Sequence, residues 1–193
     1  MKVFVIDSLT SNKNYTSVNF TNNKPTSDYI DHADDVLSIL KRYCEPTFAH
    51  VTEDSEDSAE DPYVSRKNHE YFNKALEYAI RDGSFDAIYA GLSFYIYDAE
   101  SRKLAEKTNE LINKLKIPVV CPAENNKAER DKYKDALYLS PSGDNPAVKY
   151  ICSVKNSWPG CTAFKGTQGS EKRKKEEYSS RLAAMYIVTL LHC

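Results

Sequence analysis

The chain has 193 residues, of which 28% are charged and 41% apolar, and its formal net charge is -2. A chain of this size accommodates one domain with a sizeable core, and the composition is that of an ordinary soluble globular protein. The near-balanced charge offers no electrostatic footprint for nucleic acid or for a membrane surface.

Elements follow one another in a regular order. Residues 2–6 form an apolar, β-branched run that reads as a buried strand and ends at Asp7. Ala33, Val36, Leu37 and Leu40 keep helical spacing, which predicts a helix over about 28–43, stopped near Pro46. A short strand is expected at Thr47–Val51, then a charged surface loop over Thr52–Pro62. Phe72, Ala75, Leu76, Ala79 and Ile80 mark a second helix, with Gly83 as its C-terminal cap.

Strand 86–92 comes next, followed by a third helix carrying Leu104, Thr108, Leu111 and Leu115, and by strand 117–121. A polar helical stretch near 125–134 precedes strands near 136–139 and 147–153, and residues 155–178 are irregular. The chain closes with a mostly apolar helix, Ser180–Leu191. There is no internal repeat and no domain boundary, so a single domain over 1–193 is expected. Alternating strands and helices imply an α/β fold, a mostly parallel sheet covered on both faces.

No apolar run approaches the ~18–20 residues that span a bilayer. The N-terminus reads as a strand rather than a basic segment before an apolar signal core. The five cysteines, at 44, 121, 152, 161 and 193, include no C-x-x-C pair. Cys121 and Cys152 lie in apolar strand-like runs, so buried, reduced thiols in a cytoplasmic setting are the expectation. His50, His69 and His192 show no metal-ligand spacing with the cysteines. Asn14-Tyr15-Thr16 and Asn19-Phe20-Thr21 match glycosylation acceptors, a match read as chance in a cytoplasmic chain.

Four polar residues stand at strand ends or helix starts: Asp7, His32, Asn125 and Ser180. An acid, a base, an amide donor and a nucleophile are the parts of acyl-transfer chemistry. In parallel α/β sheets, sites form at the carboxyl ends of strands and beside the helix termini there. All four groups are therefore candidates for one edge.

The flanking segments carry a family resemblance. Lys2-Val3-Phe4-Val5-Ile6-Asp7-Ser8 resembles the strand that ends in the catalytic aspartate of the subtilisin-like serine peptidases. Asp31-His32-Ala33-Asp34-Asp35-Val36 is similar to that family's His-Gly-Thr-His-Val segment. Residues 73–80 and 85–92 resemble the helix and strand leading to the substrate-binding edge. Ile117 to Asn125 is similar to the strand leading to the oxyanion-hole asparagine, and Pro146 to Val154 to the strand after it. Ser179-Ser180-Arg181-Leu182-Ala183 resembles the Gly-Thr-Ser-x-Ala nucleophile segment. The matches are collinear over nearly the whole chain, in the order acid, base, nucleophile that belongs to this family.

The resemblance implies a three-layer subtilisin-like fold and a serine endopeptidase without metal or cofactor. It assigns catalysis to Asp7, His32 and Ser180, the oxyanion donor to Asn125, and substrate binding to Gly91, Leu92, Ser93 and Glu124. The implied partner is a peptide or protein substrate. The sequence also departs from the family. Leu9, Ala33, Tyr178 and Glu124 replace glycines, Ala184 replaces a proline, and Gly91-Leu92-Ser93-Phe94 replaces Ser-Leu-Gly-Gly. Glycine permits close backbone approach, so these losses favour a rival reading, a catalytically silent subtilisin-like module that binds a protein partner. A third class, a phosphate-responsive domain built on Asp7, gives no role to Asn125 or Ser180.

Overall fold

The computed structural model describes residues 1–7, 15–22, 32–52, 62–92, 94, 96, 98–123, 145–152, 161–163 and 179–192. Seven described strands share one sheet: β1 Lys2–Asp7, β2 Thr16–Asn19, β3 Glu45–His50, β4 Ala87–Ala90, β5 Val119–Pro122, β6 Val148–Cys152 and β7 Thr162–Ala163. Their order is β2-β3-β1-β4-β5-β6-β7, and every described pair is parallel. The described helices are α1 His32–Leu40, α2 Pro62–Asp82, α3 Ala99–Lys114 and α4 Ser179–His192.

The central strand β1 explains the layering. Val3, Phe4, Val5 and Ile6 are all fully buried, as a strand covered on both faces requires. Val3 and Val5 pack with Ala33, Val36, Leu37 and Leu40 of α1 and with Leu182, Ala183 and Ile187 of α4. Phe4 and Ile6 point the other way, toward Phe72 and Leu76 of α2 and Ile112 of α3. Each such side chain removed wholly from water contributes about 1.5–3 kcal/mol.

Strand side chains alternate between the two faces. The residue after Ile6, Asp7, therefore belongs to the α1–α4 face. The two helices on that face run parallel. Near their starts, Arg181 Nη1 lies 3.1 Å from Asp35 Oδ2. At their far ends, the Tyr43 and His192 rings lie 6.2 Å apart. Because α1 returns the chain from β2 to the parallel strand β3, its N-terminus stands at the carboxyl edge of the sheet. The N-terminus of α4 stands beside it.

Several expectations move by a few residues for identifiable reasons. The described part of the first helix ends at Leu40, where the chain tightens into a turn through Arg42 N–Ile39 O and Tyr43 N–Leu40 O. Pro46 lies inside β3 rather than ahead of it, but β2 begins to pair only at Thr47. The second helix starts at Pro62, assigned above to the loop; proline suits a first helical turn, where its missing N–H has no intrahelical partner. Gly83 caps that helix with φ 65°, its N–H donating to Ala79 O at 3.1 Å. Asp98 and Ser101 form a capping box at the start of α3.

Two corrections are larger. Strand β2 is not among the strands the sequence pattern predicts, and residues 162–163, expected to be irregular, form β7. The expectation of reduced thiols is overturned at two positions, because Cys152 and Cys161 form a disulfide joining β6 to β7. Cys44 and Cys121 are free and buried. Most of the acidic loop, the helical stretch near 125–134 and the strand near 136–139 lie outside the described residues. No described helix is long and apolar enough to cross a membrane.

Candidate active site

Asp7 ends β1 and is buried, with only 1% of its surface exposed. Its neighbour across the sheet is Gly91, just beyond β4, whose N–H donates to Ile6 O at 2.8 Å. A methyl carbon on Gly91 would fall 2.6 Å from Asp7 Cγ, 2.7 Å from Asp7 Oδ1 and 2.7 Å from Tyr89 Cε1. Only glycine permits this approach of backbone to carboxylate. Gly91, expected at the substrate edge, is thus also a wall of the Asp7 pocket.

Tyr89 completes that pocket from below. It is fully buried, and its hydroxyl makes no hydrogen bond among the described residues. Burial pushes its ionisation well above the usual phenol range, and the nearby charge of Asp7 adds to the effect. The phenol therefore stays protonated beside the carboxylate, a neutral donor within its electrostatic reach. Burial also raises the Cys121 thiol well above its ordinary value. A thiol kept protonated is a poor nucleophile.

His32 is the first residue of α1; its side chain lies outside the described residues. Ser180 is the second residue of α4 and is buried. The parallel packing of α1 and α4 brings both helix starts to the carboxyl edge, on the face that carries Asp7. Asn125, Glu124 and Ser93 lie outside the described residues. The strand leading to the first two is in place: β5 ends at Pro122, and Ala123 N donates to Ile151 O at 2.7 Å. Leu92 is half-buried against the α2–α3 side of the core.

Two histidines unassigned by the sequence reading sit close to this edge. His50 is in register with Asp7 on the neighbouring strand β3 and stacks edge-on against Phe48, with ring centroids 4.6 Å apart. Burial lowers its pKa, and its Nδ1 has no hydrogen-bond partner among the described residues. His69 of α2 stacks flat on Phe94, at 4.2 Å between centroids. Its Nε2 lies 2.8 Å from Thr108 Oγ1, which donates to Asn73 Oδ1 at 2.7 Å. Phe94 is thereby tied to the α2–α3 layer. Thr108 was visible as a polar residue on the apolar stripe of α3, and His69 and Asn73 share one face of α2 at i, i+4.

No family model matches the sequence, and no curated protein matches it either. In structure the chain is similar to a lanthipeptide protease at 17% identity, with a TM-score of 0.62, over 97% of this chain and 71% of that one. It is similar to the prenylagaramide maturation protease PagA at 13% identity and a TM-score of 0.55, over 97% and 73% of the two chains. The PatG macrocyclase, solved in complex with a peptide, matches at 10% identity and a TM-score of 0.50, over 97% and 74%. The likeness establishes the architecture: the chain has a three-layer subtilisin-like α/β fold.

Proposed function

We propose that residues 1–193 form one subtilisin-like serine endopeptidase domain acting on peptide or protein substrates. Ser180 Oγ attacks the scissile carbonyl carbon, and its proton passes to His32. Asp7 holds the imidazole and stabilises the imidazolium. The Asn125 amide and the Ser180 backbone N–H stabilise the oxyanion. The leaving amine takes the proton from His32, and water then releases the acyl group by the reverse sequence. Gly91, Leu92 and Ser93 form one wall of the substrate cleft. Glu124 faces the residue before the scissile bond, where a carboxylate favours a basic side chain.

The observation that carries this reading is the shared edge: β1 ends in the buried Asp7, on the face where the parallel helices α1 and α4 both begin. The peptide-processing neighbours of this fold are consistent with a peptide substrate. A serine-directed fluorophosphonate tests it. Labelling of the folded chain that disappears in Ser180→Ala is expected. Absence of labelling in well-folded protein would sink it.

One observation favours the rival reading, a silent module that binds a protein partner through the same cleft. Ser180 is buried, whereas a nucleophile must meet its substrate. The same labelling experiment separates the two readings, because a silent module gives no adduct at any reagent concentration that leaves it folded.

A further inference from the structure

We infer that Asn19 is an N-glycosylation acceptor and that the chain matures in an oxidising, secretory-type compartment. Two independent observations converge on this. The first is the Cys152–Cys161 disulfide. Disulfides of this structural kind form and persist in oxidising compartments and are rare in a reducing cytosol. The second is the acceptor sequence Asn19-Phe20-Thr21 and the way the fold presents it.

Asn19 is the last residue of β2, the end strand among the described strands, and it is exposed. The next residue, Phe20, turns inward. Its N–H donates to His50 O at 2.9 Å, and its ring meets the Tyr78 ring at 5.7 Å. This inward anchor leaves Asn19 at the surface. Thr21 then folds back: its backbone N–H and its hydroxyl donate to Asn19 Oδ1 at 2.9 and 2.8 Å. The carbonyl arm of the carboxamide is thus held by the residue that the acceptor sequence requires. Both bonds span two residues, so they are equally open to the chain before it folds.

The reaction is a glycosyl transfer from an oligosaccharide carried on a polyprenyl diphosphate. The Asn19 amide nitrogen forms a bond to the anomeric carbon, and the bond from that carbon to the diphosphate oxygen breaks. The diphosphate leaves with the electron pair, and the amide proton passes to a base of the transferase. On the folded chain the glycan stands at the β2 end of the described sheet. It makes no contact that the proposed peptidase chemistry requires, so either inference survives failure of the other.

The test is mass spectrometry of the chain from its own source, before and after digestion with peptide-N-glycosidase. Asn19 is expected to be recovered as aspartate after digestion. Asn19→Gln and Thr21→Ala, expressed in the same cells, should each lose the modification completely. Thr21→Ser should retain it, and Asn14→Gln should leave Asn19 modified. An unmodified Asn19 in the source chain, or a modification that persists in Thr21→Ala, overturns the proposal.

Discussion

Gly91 and Asp7 touch so closely that any side chain at position 91 collides with the carboxyl, 2.6 Å from its carbon. The acid that the site needs is therefore held in place by a missing side chain on the neighbouring strand. Gly91→Ala has to move either the carboxylate or the backbone. Overpacking of this kind costs about 1–3 kcal/mol, and a displacement near 1 Å at a reacting group costs roughly 10²-fold in rate. Peptidase activity should fall on that scale. Gly83→Ala is the control: its φ of 65° makes the change strained although nothing lies within 4 Å. It should lose roughly 1–2 kcal/mol of stability and keep its activity. Equal activity of the two variants would remove Asp7 from the mechanism.

Tyr89→Phe should behave in the opposite way. The Tyr89 hydroxyl is buried without a hydrogen bond among the described residues, and an unsatisfied buried polar group costs about 1–3 kcal/mol. Removing that oxygen while keeping the ring is expected to raise the denaturation midpoint. The phenol lies within electrostatic reach of Asp7. If it serves the site, kcat falls while stability rises, a trade-off common at functional positions. A lower midpoint in Tyr89→Phe would show that the hydroxyl has a partner after all.

The sequence was most readable where burial imposes a pattern. The run Val3–Ile6, covered on both faces, could only be a central strand, and strand alternation places Asp7 on the face of α1 and α4. The closing helix was legible because Leu182, Ala183, Ala184 and Ile187 all meet the core. Strand β2 was not, because it is four residues long, largely exposed and, among the described residues, paired only with β3. Its identity as a strand comes from β3 and not from its own side chains. The Cys152–Cys161 pair was hidden for a similar reason. Spacing cannot show that β7 pairs with β6 and so brings the two sulfurs together. Gly91 read as a departure from a family motif; its purpose lies in a residue 84 positions away.

His69 makes the stability of the fold depend on pH. Burial lowers its pKa from 6.5 to about 4. Between those values the unfolded chain binds a proton that the native chain does not. Stability is therefore full above pH 6.5 and falls as pH drops toward 4, by an amount on the order of 3 kcal/mol. His50, also lowered by burial, acts in the same direction. Urea unfolding at pH 7, 5.5 and 4 should show this decline, and His69→Gln should flatten most of it. An unchanged slope in that variant would mean that other groups dominate.

The Cys152–Cys161 bond closes a short loop, with a sequence separation of nine. Chain-entropy arguments give such a cross-link about 2–3 kcal/mol, because it restricts the unfolded ensemble. β7 is only two residues long and, among the described residues, pairs with β6 alone, so the bond is a large part of what is seen to hold it. Reduction, or Cys161→Ser, should lower the denaturant midpoint by the corresponding amount. Loss of order should begin at β7, seen as faster amide exchange there than in β1 or β4. The core on the other side of the sheet centre, built on β1, β3 and β4, makes no use of the bond and should keep its exchange protection. Uniform loss of protection would instead make the disulfide a determinant of the whole fold.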